Sequence, residues 1–148
     1  MTLPGMTLEL ASRMSDAAVG RATQIGAVVS VAVVDGGGNL VHFQRMDRAE
    51  IAGPTLAVDK AYTAVAHRIA TAELGPLSVP GGPLAGLAAN GGGRYVVFAG
   101  GLPCWSGDPD VDGVVVGGIG VSGGTAEEDA ACAEAALVVF VDEAGGTP

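Results

Sequence analysis

Three side chains that could take part in chemistry recur at helical spacing in the segment AVDKAYTAVAHR, namely Lys60, Thr63 and His67. At about 100° per residue they fall on one edge of a helix. Lys60 is the only lysine in the chain. Its amine could hold a carboxylate or, if desolvated, act as a base or form a Schiff base, and His67 could move a proton near neutral pH. The alternative is a solvated lysine beside a half-buried histidine that is bonded to a backbone carbonyl.

A second candidate is the segment GVVVGGIGVSGGTAEED at residues 113–129, which predicts a buried strand, a turn and the start of a helix. Thr125 and Glu128 have the spacing of a capping box. The turn before them consists of small residues, Ser122, Gly123 and Gly124. Backbone N–H groups left free there would suit a carboxylate, an enolate or a propionate. The alternative is a tight strand-to-helix connection that binds nothing.

Two further residues could contact a ligand. Arg45 could clamp an anion or pair with Asp47 at the end of a strand. His42, in the middle of the same predicted strand, could ligate haem or a metal, although packing on an apolar face is the simpler interpretation. The chain has no H-x-x-x-H, H-E-x-x-H or C-x-x-C pattern, so the sequence predicts no metal site.

The elements that must position these residues follow the order α-β-β-α-β-β-β-α. Because hairpin-linked strands cannot be parallel neighbours, this order predicts a single α+β domain with a mostly antiparallel five-stranded sheet flanked by helices. The predicted helices span residues 7–26, 51–73 and 125–142, and the predicted strands span 27–35, 40–46, 94–100, 101–105 and 113–121. The Gly/Pro-rich segment 74–93 is expected to close over the site or to pack across a subunit boundary.

Composition limits the function further. The 148 residues fit one domain, 1–148, with a core of about 7–141. The formal net charge of −9 argues against nucleic acid and against an anionic membrane surface. Neither a signal peptide nor a membrane-spanning apolar run is present, so we expect a soluble cytoplasmic protein.

Four ordered segments resemble the GlcG/HbpS-like family, the haem-degrading domain family that also supplies the C-terminal domain of a type of corrinoid adenosyltransferase. They are SVAVVDGGGNLVHFQRMD, AVDKAYTAVAHR, NGGGRYVVFAGGLP and VVGGIGVSGGTAEEDA. The similarity spans roughly Thr7 to Ala136. It implies a compact α/β domain that forms dimers or higher oligomers, and haem binding or degradation in some members.

The family resemblance covers Lys60 and the turn from Ser122 to Gly124, but it breaks at His67, where relatives usually carry phenylalanine. A titratable group in that place could create acid/base chemistry or supply an unusual haem ligand.

Three functions remain open at this point. The favoured one is a cofactor-independent enzyme, of isomerase, hydratase, lyase or hydrolase type, acting on a small anionic or carbonyl metabolite in a catabolic pathway. In it, Lys60 and Arg45 orient the anion, His67 is the acid/base, and the amides of the glycine turn stabilise developing charge. The second is haem binding, with His42 or His67 as axial ligand and with Lys60 or the glycine turn at a propionate. The third is a non-catalytic ligand-sensing or accessory subunit.

Overall fold

The computed structural model describes residues 5–145, and the outermost ends of the predicted domain 1–148 lie outside that range. Two long helices cover one face of an antiparallel sheet, and a third helix covers the other face. In chain order the elements are α1 (Leu8–Ile25), β1 (Ser30–Asp35), β2 (Leu40–Arg45), α2 (Gly53–His67), α3 (Thr71–Leu77), β3 (Gly101–Ser106), β4 (Val114–Ser122) and α4 (Ala126–Ala144). The α+β class and the antiparallel pairing are confirmed.

The prediction of five strands is wrong, because the sheet has four, in the order β2-β1-β4-β3. The segment 94–100, predicted as a strand, runs across α2 instead. The backbone N–H of Val96 donates to Thr63 Oγ1 at 3.0 Å, and Arg94 Nε donates to Asp59 Oδ1 at 2.9 Å. A side chain of α2 therefore accepts a backbone N–H that a neighbouring strand would otherwise bind.

The predicted helix 51–73 is two helices. α2 ends at His67 because Arg68 adopts a left-handed conformation, with φ 54° and ψ 43°, and its N–H bonds the Ala64 carbonyl. The chain then turns and α3 begins at Thr71. This break places the end of α2 at the surface, beside β3.

Both long helices have the caps that the sequence predicts. Thr7 Oγ1 accepts a hydrogen bond from the N–H of Leu10 at 3.1 Å, and Gly26 closes α1 in the left-handed region with φ 76°. At α4, Thr125 and Glu128 form the reciprocal capping box. Among the described residues, no helix is long and apolar enough to cross a membrane.

A β-bulge changes which residues of β2 face which helix. Val33 pairs with His42 but Val34 pairs with Leu40, so Val41 is an extra residue. His42 and Gln44 share the face of α1, where Gln44 bonds Ser15. Leu40 instead lies on the α2 face, whereas regular alternation along a strand would place Leu40, His42 and Gln44 on one side.

Candidate functional site

Lys60 is buried at the middle of α2, with only 1% of its surface exposed. Its Nζ donates to the carbonyl of Val121 at 2.9 Å and to Asp129 Oδ2 at 3.1 Å. The ring of Phe98 lies 5.1 Å from the same nitrogen, within the range of a cation–π contact. Burial lowers the pKa of Lys60, and the charge of Asp129 opposes that shift. The amine is thus fully engaged by the chain itself.

The glycine turn at the end of β4 is occupied by carboxylates of α4. Asp129 Oδ1 accepts the N–H of Gly124 at 2.8 Å, and Glu128 Oε1 accepts the N–H of Thr125 at 2.9 Å. Burial raises the pKa of Asp129, while Lys60 and the turn amides oppose the rise. The structure therefore brings Lys60 and the turn together as expected, but with an internal carboxylate where the sequence suggested a ligand.

The hydroxyl of Thr63 bonds to backbone groups rather than facing open space. Its hydroxyl donates to the carbonyl of Asp59 at 2.6 Å and accepts the N–H of Val96. Arg45, at the exposed end of β2, donates to the carbonyl of Ala49. Neither side chain lines the cavity beside His67.

His67 lies two turns beyond Lys60, at the C-terminal end of α2. Its ring meets the edge of Tyr95 at 4.5 Å between centroids, with the planes 79° apart. Tyr95 stacks in turn on Tyr62 at 6.5 Å, and the Arg94 guanidinium lies 3.6 Å above Tyr62. Nε2 of His67 is buried and has no hydrogen-bond partner among residues 5–145. Most buried polar atoms have a hydrogen-bond partner, so this nitrogen is an exception.

A cavity of about 760 Å³ opens beside His67. Arg68, Glu73 and Asp110 contribute charged groups to its lining. The apolar part of its wall is formed by Ile69, Leu102, Pro103, Trp105 and Leu137. This size is typical of a small-molecule or cofactor site, and the wall combines apolar and polar surface in nearly equal parts.

His42 is placed differently. It lies on β2, facing the side of α1, and its Nδ1 is buried without a hydrogen-bond partner. It lines neither the cavity beside His67 nor three smaller cavities, of about 310, 430 and 460 Å³, found elsewhere among residues 5–145. Of the two histidines, therefore, only His67 combines an unpartnered nitrogen with a cavity large enough for a cofactor.

Sequence reasoning missed Asp129, Arg68 and Trp105. Asp129 looks like any acidic residue in a first helical turn, and its link to Lys60 spans 69 positions. Arg68 directly follows the candidate residue His67, and this adjacency is the signal that could have identified it. Within residues 5–145, no cluster of three or more His, Cys, Asp or Glu side chains could hold a metal ion.

Comparison with known proteins gives one family and several close structures. The family model "Haem degrading protein HbpS-like" matches residues 6–138. A 15.0 kDa protein from the dhaT–dhaS intergenic region of Citrobacter freundii is 41% identical over 135 residues, covering 91% of this chain and 92% of its own length.

The corrinoid adenosyltransferase PduO of Salmonella typhimurium is 39% identical over 128 residues, covering 86% of this chain. The chain spans only 37% of that longer protein. Among solved structures, a PduOC:heme complex superposes with a TM-score of 0.84 at 36% identity, covering 91% of this chain and 94% of the other.

Proposed function

Because this chain belongs to the HbpS-like family of haem-degrading proteins, we propose that it binds haem. Support for the proposal comes from a similar domain that carries haem, at 36% identity over nearly the whole chain. The observation in this chain that carries the proposal is His67, whose buried Nε2 has no partner and whose ring borders the largest cavity described.

The favoured interpretation of the sequence, a cofactor-independent enzyme for a small metabolite, is wrong. Relatives and solved neighbours point to haem instead, and the preference for no cofactor loses its support with it. The physical reason lies in Asp129, which already neutralises Lys60 and fills the glycine turn, the two groups assigned to the metabolite's charge. That the chain is an enzyme of any kind stays a prediction.

The cavity beside His67 fits a haem in chemical character. Its volume of about 760 Å³ lies within the range of cofactor sites. Leu102, Trp105 and Leu137 offer large apolar contacts, and imidazole is a common axial ligand of haem iron. We therefore assign His67 as the residue that would hold the iron, which requires the imidazole to turn its buried Nε2 into the cavity. The apolar part of the wall would exclude water. A bound haem would supply the redox-active iron.

The decisive experiment is a haemin titration followed at the Soret band. We expect a shift that saturates near one haem per chain in the wild type. The His67→Phe variant, which keeps an aromatic ring against Tyr95, should lose the sharp shift while keeping the circular dichroism of the fold. A wild type without a saturable shift would end the proposal.

His42→Ala is the matched control, because His42 has the same unpartnered character but no cavity. We expect its Soret shift and affinity to equal those of the wild type. If His42→Ala lost the shift and His67→Phe kept it, the ligand assignment would move to β2.

We further propose that the chain forms a homo-oligomer. No residue of the segment 74–93 lines the His67 cavity, so the structure does not support a role of this segment as a lid. In this segment, 49% of the surface of Val79 and 37% of the surface of Leu84 are exposed. Phe98, which follows shortly after in the sequence, is 51% exposed. Apolar side chains exposed in this way favour a subunit contact. A monomer at micromolar concentration in light scattering would contradict the homo-oligomer.

The cytoplasmic location stays a prediction.

A further inference from the structure

Arg68 has a backbone conformation that arginine adopts only at a cost. Its φ of 54° lies in the left-handed region, which is favourable for glycine and strained for residues with a Cβ. Among residues 5–145, Arg48 is the one other non-glycine residue with positive φ, at 68°. This conformation ends α2 and places Arg68 at the edge of the cavity beside His67.

Among residues 5–145, the side chain of Arg68 has no hydrogen-bond or ion-pair partner. No hydrogen bond or ion pair of its guanidinium is found among the described residues, whereas Arg13 pairs with Glu9 and Glu143, and Arg94 pairs with Asp59. Arg68 instead lines the cavity directly beside His67. Its five N–H donors are thus available to a ligand in that cavity.

The charges around the cavity give a ligand a preferred orientation. Arg68 is the arginine of the lining, and Glu73 and Asp110 are its carboxylates. A negatively charged end of a ligand is attracted to Arg68 and repelled by Glu73 and Asp110, while its apolar body contacts the wall that includes Trp105. Guanidinium binds a carboxylate through two parallel hydrogen bonds, which fix direction as well as charge.

We propose that Arg68 is the carboxylate anchor of the His67 cavity, which takes a large, flat, apolar ligand with an ionised carboxylate at one edge. This inference rests on the proposed haem binding and adds the group that would hold a propionate. It replaces Lys60 and the glycine turn in that role, since both are engaged by carboxylates of α4.

The test compares two probes on two variants. The probes are haemin, which has free propionates, and haemin dimethyl ester, in which both carboxylates are blocked; both are titrated in the same dilute detergent. Soret absorbance and quenching of Trp105, the only tryptophan, give the dissociation constants. Arg68→Gly should weaken haemin binding about tenfold, the usual effect of losing a charge-assisted hydrogen bond, and leave the ester unchanged.

Arg48→Gly is the matched control, because it relieves the same kind of backbone strain at an exposed residue that lines no described cavity. It should raise the melting temperature by about 1–4 °C and leave both dissociation constants unchanged. The ligand-free Arg68→Gly protein should melt no lower than the wild type, which separates lost binding from lost folding.

Each outcome decides the point. Arg68→Gly binding haemin as tightly as the wild type, or losing equal affinity for both probes, would overturn the anchor while haem binding stands. Failure of the wild type to bind either probe would overturn haem binding and the anchor with it. If Arg68 only served the helix dipole, its replacement would lower the melting temperature and change neither dissociation constant.

Discussion

Lys60 and Asp129 form a buried ion pair that joins three elements at a single point. Lys60 comes from α2, its carbonyl acceptor Val121 from β4, and Asp129 from α4. Asp129 also accepts the N–H of Gly124, so its carboxylate serves both an ammonium and the turn. In such a site each group satisfies the others, and removing one charge strands its partner away from water.

Replacing Asp129 with asparagine should therefore destabilise the protein strongly. The amide still accepts the N–H of Gly124 but leaves the Lys60 ammonium without a counter-charge. We expect the free energy of unfolding, measured by urea denaturation, to fall by about 3–5 kcal/mol. Glu9→Gln, which breaks the exposed Arg13–Glu9 pair, should cost less than about 1 kcal/mol. Equal small losses in both variants would contradict a structural role for the buried pair.

The depressed pKa of Lys60 predicts a stability that rises with pH. Burial lowers this pKa below 10.5 in the folded chain. Between the lowered value and 10.5 the unfolded chain binds more protons than the folded one, so unfolding becomes less favourable as pH increases. The difference in unfolding free energy between wild type and Lys60→Met should rise across this window, by at most about 1.4 kcal/mol per pH unit. If urea denaturation at alkaline pH showed that this difference in unfolding free energy stays constant or falls, the lowered pKa of Lys60 would be contradicted.

The sequence pointed to Lys60 and to the glycine turn, but not to the Asp129 carboxylate that joins them. The lone Lys60 and the small residues before Thr125 both stood out by type and spacing. Their shared partner Asp129 did not, because an acidic residue in a first helical turn is also favoured by the helix dipole alone. Only the packing of α4 against β4 shows that its carboxylate turns inward to Lys60.

At the scale of elements, the glycines of β4 set how closely α2 approaches the sheet. A Cβ at Gly120 would collide with the carbonyl of Ala57 and lie 2.6 Å from the N of Ala61. A Cβ at Gly118 would lie 2.8 Å from the carbonyl of Ala61. The backbone of α2 thus rests directly on β4, which explains the glycine-rich strand and carries Lys60 to the end of that strand.

Gly120→Ala should consequently force α2 away from β4. Because the colliding atoms are backbone, side-chain rotation gives no relief, and we expect a loss of about 3 kcal/mol or more in unfolding free energy. Gly20→Ala is the matched control, since Gly20 lies within α1 with open space around it. It should gain about 0.5–1 kcal/mol from helix propensity. A Gly120→Ala protein as stable as the wild type in urea would refute the close contact.

Local patterns predicted the elements that carry their own signals. The caps of α1 and α4 and the β1–β2 hairpin follow from residue types within a few positions. The failures at residues 94–100 and at Arg68 come from longer-range effects. The valine-containing segment 94–100 bonds to α2 rather than to a strand. The helix α2 ends at Arg68, where the usual signal for a helix end would have been a glycine.

At the scale of the whole molecule, the middle and the C-terminal end of α2 serve different purposes. The Lys60–Asp129 pair ties the middle of the helix into the core, whereas His67 and Arg68 at its C-terminal end border the cavity. A rigid helix held on its glycine-rich neighbour is a firm support for a ligand site. The ligand must reach this site through the field of a chain with net charge −9.

That field predicts an unusual salt dependence for haem association. Haemin carries a net negative charge, so the protein as a whole repels it. The screening length falls from about 30 Å at 0.01 M salt to about 8 Å at 0.15 M, compared with a radius of gyration of about 15 Å. Distant carboxylates therefore act on haemin only at low salt, and its association rate in stopped-flow measurements should rise several-fold with salt.

Haemin dimethyl ester supplies the matched probe for the same field. With its carboxylates blocked it carries a net positive charge, so the acidic chain attracts it and added salt should slow its association. Opposite salt slopes for the two probes would identify the overall charge as the cause. If the haemin rate fell with salt as well, the local field of Arg68 would have to outweigh the remaining charge of the molecule.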